Sequence, residues 1–175
     1  MTFALLIIDV QKAICIGADA AHDVESVIQR LNNVASVARQ RQWPVVFIQH
    51  EEPEGAFAVE SEGWQLDDRL AVTPGDIRVR KTACDAFLRT ELQAVLKLNG
   101  VERLVIGGLQ SEFCVDSTVR AALAGGYPVT LVADGHSTMD NGVMTASQIV
   151  AHHNRTLSNI SSFGPSVTLA KAADI

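Results

Sequence analysis

The chain has 175 residues, 47% of them hydrophobic and 19% charged, a balance that fits one folded domain over residues 1–175 and excludes a disordered polymer. A net charge of −6 without any dense Lys/Arg cluster excludes nucleic acid and anionic membranes as main partners and leaves a small molecule. The three cysteines, Cys15, Cys84 and Cys114, form no C-x-x-C pair, which suits a reduced thiol state in the cytoplasm and gives no sign of structural zinc.

Taken in chain order, the first apolar run, Ala4 to Ile8, has strand length and ends at Asp9. It is too short for a membrane span or a signal-peptide core. A helix follows, with Val24, Val27, Ile28, Leu31, Val34 and Ala38 on one face. Further strands are predicted at Val45 to Gln49, Ile77 to Val79, Leu104 to Ile106, Val129 to Ala133 and Val167 to Leu169. Helical spacing recurs at Phe87, Leu88, Leu92, Val95 and Leu96, from Phe113 to Ala124, and more weakly from Met144 to Leu157. The stretch from Glu51 to Asp76, rich in Glu, Gly and Pro, reads as a long active-site loop. Alternating strands and helices predict an α/β fold with a parallel sheet, right-handed crossovers and helices on both faces.

In such sheets ligands bind at the carboxyl ends of the strands. That rule gathers dispersed polar residues into one candidate site: Asp9 after the first strand, His50 after the second, Lys81 after the third, Gln110 to Cys114 after the fourth and Asp134 after the fifth. Cys114 falls in the first turn of a helix, where unpaired N–H groups and the helix dipole favour a thiolate. Asp9 can take the thiol proton and return it to a leaving amine, while Lys81 holds the Asp and favours the thiolate. Read singly, each has a plainer role: Cys114 as a buried thiol, Asp9 as a turn or capping residue, Lys81 as a solvated surface cation. No G-x-G-x-x-G follows the first strand, and no cofactor is implied.

Three segments, LLIIDVQ, RKTACDAFLRTEL and LVIGGLQSEFCVDSTVRAALAGGYPVTLVADGHST, stand in this order, and through them nearly the whole chain resembles the isochorismatase-like family of cysteine hydrolases, which includes nicotinamidases. The resemblance implies a three-layer α/β/α sandwich with a six-stranded parallel sheet in the order 3-2-1-4-5-6, and a homodimer or larger homo-oligomer. It assigns the general base to Asp9, the lysine to Lys81 and the nucleophile to Cys114. It also implies an oxyanion hole formed by the backbone N–H groups of Gln110 and Cys114, with a non-proline cis peptide between Leu109 and Gln110. Members that hydrolyse the vinyl ether of isochorismate do not need the cysteine, so Cys114 favours amide or related C–N bond cleavage through a thioester. The alternatives are isochorismate-type ether hydrolysis on the same fold, or a non-enzymatic α/β binding protein with a redox-sensitive cysteine.

The chain departs from the family's pattern at the pocket. Lys12, Ala13, Ile14 and Cys15 stand where an aromatic residue often follows the D-x-Q piece. Gln49-His50-Glu51-Glu52 lacks the D-x-H and further histidine by which nicotinamidases hold a metal, so no metal is expected. His50 with Glu51 or Glu52 is the weaker reading, since a strand-end His more often satisfies a local hydrogen bond. Ile14, His50, Phe57 and Trp64 are the candidate pocket residues, with anchoring of the loop the favoured role for Trp64. Cys15 and Cys84 are within reach of the pocket but are expected buried and inert, His152 and His153 in packing or a subunit contact, and His136 and Ser137 supporting the rim.

Overall fold

The computed structural model describes residues 2–175. Six strands, β1 (Phe3–Ile8), β2 (Val45–His50), β3 (Ile77–Lys81), β4 (Arg103–Leu109), β5 (Val129–Ser137) and β6 (Val167–Ala170), form one sheet in the order β3-β2-β1-β4-β5-β6. Every neighbouring pair is parallel, as the sequence predicts. Strand side chains alternate between faces. Ala4, Leu6 and Ile8 of β1 therefore pack on one side with Leu92, Leu96, Val119, Leu123 and Leu157, which belong to α3 (Leu92–Leu98), α4 (Asp116–Ala124) and α5 (Ala146–Ser158). Leu5 and Ile7 pack on the other side with Val27, Ile28, Leu31, Val34, Ala35 and Ala38 of α2 (Val24–Gln40). The predicted stripe of that helix is the face that meets the sheet. A four-residue helix, α1 (Lys12–Cys15), is the remaining α-helix.

Each strand runs further than its apolar core suggests, because the polar residues at the ends still pair in the sheet. His50 pairs with Lys81, and His136 and Ser137 pair with Gly108 and Leu109 after a register shift opposite Gly107. The predicted start of α3 at Phe87 is corrected: the helix begins at Leu92, because Arg89 takes φ 58°, a left-handed backbone that an α-helix does not admit. The fourth crossover also differs from a plain helix. Ser111–Val115 form a single π-helical turn that leads into α4.

Residues 51–76 contain no helix or strand beyond isolated bridges, Gln11 with Leu66 and Glu52 with Ala58. Bidentate bonds from Arg39 of α2 to Asp76 (3.0 and 2.7 Å) and a bond from Arg69 to the Cys15 carbonyl (2.9 Å) hold this loop against the body of the molecule, while bidentate bonds from Arg69 to Asp67 (2.8 Å each) brace it internally. No helix among the described residues is long and apolar enough to cross a membrane.

Candidate active site

The register of the sheet places the candidate residues side by side. Ile8 pairs with both Ile48 and Gly108, so the ends of β1, β2 and β4 lie level, and β3 ends beside His50. Gly108 sits at φ 127°, and a Cβ there would stand 2.2 Å from the Ile8 carbonyl oxygen. Only glycine lets β4 approach β1 this closely. Asp9 then turns at φ 49°, a left-handed backbone that Asp tolerates better than most residues.

At this turn Asp9 Oδ2 lies 2.7 Å from Lys81 Nζ, with the two side chains 4% and 0% exposed. The Lys81 ammonium also donates to Cys114 Sγ (3.2 Å) and to the Ala83 carbonyl (3.0 Å), and lies 3.4 Å from His50 Nδ1. Asp9, Lys81 and Cys114, dispersed in sequence, are thus one contact group. Asp9 Oδ1 is buried and has no hydrogen-bond partner among the described residues, which leaves it open to accept a proton.

Burial raises the Asp9 carboxyl above the ordinary aspartate range even though Lys81 opposes the shift. Desolvation pulls Lys81 down, but the negative charge of Asp9 and the Cys114 sulfur more than offset it and hold its ammonium above the usual lysine value. The Cys114 thiol is pushed up, by burial first and by the Asp9 charge second, while Lys81 pulls in the opposite sense. This corrects the expectation of a lowered thiol pKa: the start of the helix favours the anion, but burial beside a carboxylate outweighs it.

A cavity of about 220 Å³ opens onto these groups. Ile14, His50 and Phe57 line it as the sequence predicts, with the His50 and Phe57 rings edge to face at 5.4 Å. Glu52, Cys84 and Phe113 join them. The expectation for Cys84 is corrected here, and the pocket role is withdrawn from Trp64 in favour of its anchoring role. Cys84 is exposed rather than buried, because it follows Lys81 in an irregular stretch that rims the cavity. Trp64 does not line the cavity: its ring lies under the Arg80 guanidinium at 5.5 Å, and its carbonyl accepts from Gln11 Nε2 (2.8 Å) and Gln49 Nε2 (2.7 Å). It anchors the loop.

Gln11 is the supporting residue that the sequence reading missed. Fully buried, it also donates to the His50 carbonyl (2.9 Å) and accepts from the His50 N–H (2.8 Å), so one amide joins the end of β1 to the end of β2 and to the loop. The signal was present as a glutamine two residues beyond Asp9, where any buried polar group must find partners. Asp134, by contrast, faces away from the site. Its Oδ1 accepts from the Ala172 N–H (2.8 Å), since the sheet continues past it to Ser137.

The turn that carries Cys114 is held from behind. Phe113 and Val115 N–H groups both donate to the Gln110 carbonyl (3.2 and 3.1 Å), and the Leu109–Gln110 peptide is cis, as expected. Ser111 Oγ lies 2.8 Å from His136 Nδ1, and His136 Nε2 lies 3.1 Å from Asn154 Oδ1, whose amide nitrogen donates to the Ala133 carbonyl. Burial lowers the His136 pKa, so the ring is neutral; the Asn154 oxygen accepts from Nε2–H, and Nδ1 accepts from Ser111. Among the described residues no group of three or more His, Cys, Asp or Glu is placed to hold a metal ion.

The isochorismatase domain model matches residues 3–169. A streptothricin hydrolase from Streptomyces noursei is 38% identical over 138 residues, covering 78% of this chain and 50% of that protein, so the match spans about half the length of that relative. Among solved structures, an isochorismatase family protein superposes with a TM-score of 0.88 at 37% identity, over 97% of this chain and 98% of that one. An isochorismatase from Pseudomonas putida KT2440 gives 0.90 at 25% identity, over 99% and 89%. With the matched model covering nearly its whole length, the chain belongs to the isochorismatase family of hydrolases.

Proposed function

We propose that the protein is a cysteine hydrolase that cleaves a small amide or related C–N bond through a thioester on Cys114. The observation that carries this reading is the buried contact chain from Asp9 to Lys81 (2.7 Å) and from Lys81 to Cys114 (3.2 Å) beside the cavity. A non-enzymatic binding protein has no use for such a cluster.

Substrate enters with its carbonyl carbon at Cys114 Sγ. Asp9, made more basic than an ordinary aspartate by burial, takes the thiol proton as sulfur attacks, and the fixed Lys81 ammonium stabilises the developing thiolate. The tetrahedral oxyanion is held by the backbone N–H groups of Gln110 and Cys114. Its collapse breaks the C–N bond, and the proton on Asp9 goes to the departing amine. Water, deprotonated by Asp9, then attacks the thioester, and the acid leaves as sulfur recovers the proton. The balance is amide plus water to acid plus amine.

Isochorismate-type hydrolysis is less well served. That substrate carries two carboxylates, whereas the charged side chains lining the cavity, Asp9 and Glu52, are both acidic, and no Lys or Arg is among the lining residues. The relative named for hydrolysis of streptothricin also fits a hydrolase outside isochorismate chemistry.

Amide turnover in the presence of hydroxylamine tests the proposal. A thioester intermediate is expected to divert to the hydroxamate in proportion to hydroxylamine, with release of the amine unchanged in amount; hydrolysis that yields acid alone at every hydroxylamine concentration would contradict it.

A further inference from the structure

Glu52 presents the one carboxylate of the cavity that has no full cationic partner among the described residues. Asp9 is neutralised by Lys81, while the Glu52 side chain is 50% exposed and its nearest basic neighbour is His50, Nε2 to Oε1 3.4 Å. The other ring nitrogen of His50 faces the Lys81 ammonium at 3.4 Å. An ammonium can only donate, so Nδ1 presents its lone pair and Nε2 carries the proton that points at Glu52. The imidazole therefore aims a carboxylate that stays half exposed. Its backbone is fixed as well: the Glu52 N–H donates to the Phe57 carbonyl at 3.0 Å, closing a tight loop whose Phe57 ring packs against His50.

The remaining walls of the cavity are neutral, with Ile14, Phe57 and Phe113 apolar and Gln110 polar. A small molecule bound there meets the thiol at one end, an apolar middle and a negative charge toward the mouth. Cys114 and Glu52 both line this one cavity of about 220 Å³, so a single small molecule can meet both.

From this geometry we infer that Glu52 is a specificity-determining residue and that the substrate is a small amide carrying an ammonium group remote from the scissile carbonyl, which Glu52 receives. The amide part of this statement rests on the proposed function; the preference for a cation rests on the cavity alone. Uncharged amides of the same length lack the ion pair, and amides with a remote carboxylate meet repulsion in a cavity without a compensating cation.

Two measurements keep the parts distinct. In a Cys84→Ser background, Cys114 is modified with 2-aminoethyl methanethiosulfonate and with its anionic 2-sulfonatoethyl counterpart, and each rate is divided by that for free 2-mercaptoethanol. The normalised ratio of cation to anion is expected to lie about two- to fivefold above one, the scale of a partly exposed charge pair. It should fall toward one in Glu52→Gln and further in Glu52→Lys. A ratio unchanged by both substitutions overturns the role of Glu52. In parallel, kcat/KM is compared for 4-aminobutanamide and its uncharged isostere pentanamide. Faster turnover of the former, lost in Glu52→Gln, is the expected result. Cleavage of both at equal rates overturns the inference and leaves the amidase reading standing. Cleavage of neither, with the labelling ratio still dependent on Glu52, overturns the amide part and leaves the cation site standing.

Discussion

Lys81 Nζ and Asp9 Oδ2 form an ion pair of 2.7 Å in which the lysine is fully buried and the aspartate is 4% exposed, at the wall of the cavity. Burying two charges is costly, and their attraction together with satisfied hydrogen bonds has to offset that cost. Here the lysine is satisfied by Asp9, Ala83 and Cys114, but Asp9 keeps a buried oxygen without a partner. The pair is therefore arranged for a proton acceptor rather than for stability.

Replacing Lys81 by Met leaves Asp9 as an unpaired buried charge, and the fold is expected to lose roughly 3–5 kcal/mol. The double variant Lys81→Met/Asp9→Asn should recover a large part of that loss in denaturant titrations, because the stranded charge is gone. A double variant no more stable than Lys81→Met alone would show that the two residues are not coupled in the folded protein.

The raised Asp9 carboxyl sets the acid side of the pH profile. Asp9 must be ionised to take the thiol proton, so a pKa above the aspartate reference of about 3.9 moves the acid limb of kcat/KM upward by the same amount. The stability term has the opposite sense. A carboxyl whose folded pKa is raised favours the folded state most below its unfolded pKa, and that contribution is lost as pH rises through the folded value. Asp9→Asn should therefore abolish turnover while making stability less dependent on pH across that window; an acid limb at or below pH 4 would contradict this.

Much of this site could be read from the sequence because its parts are coupled to strand ends. Asp9, Lys81 and Cys114 each close or follow an apolar run, and a parallel sheet brings such ends together whatever the intervening loops do. Gln11 was harder to recognise, since a buried amide is identified by partners that only the fold supplies. The state of Cys114 was misread for a related reason: position at the start of a helix is visible in sequence, whereas burial beside a carboxylate is not. Asp134 shows the limit for strand-end residues, whose direction depends on where a strand stops. The start of α3 was missed because the left-handed backbone at Arg89 leaves no mark in the apolar spacing.

Gln11→Leu is expected to strip partners from the His50 N–H, the His50 carbonyl and, in part, the Trp64 carbonyl. Each buried group left unpaired costs about 1–3 kcal/mol. Because the loss falls where residues 51–76 join the sheet, limited proteolysis should cut that loop faster than in the unaltered protein, with KM raised more than kcat is lowered. Proteolysis and KM both unchanged would remove the clamp role from Gln11.

Activity is expected to survive exhaustive chelation, since Asp9 and Cys114 supply the proton acceptor and the nucleophile without a Lewis acid. Loss of turnover with a chelator, restored by one divalent ion, would place His50 and Glu52 in a metal site instead.

The covalent role of Cys114 is tested most directly by intact-protein mass spectrometry of acid-quenched samples taken during turnover of an amide. The expected result is a transient gain equal to the acyl group, mapped to the peptide containing Cys114, and no gain and no turnover in a folded Cys114→Ala variant. Amide turnover by Cys114→Ala at a rate near that of the unaltered protein, with no acyl mass in either, would contradict the thioester mechanism.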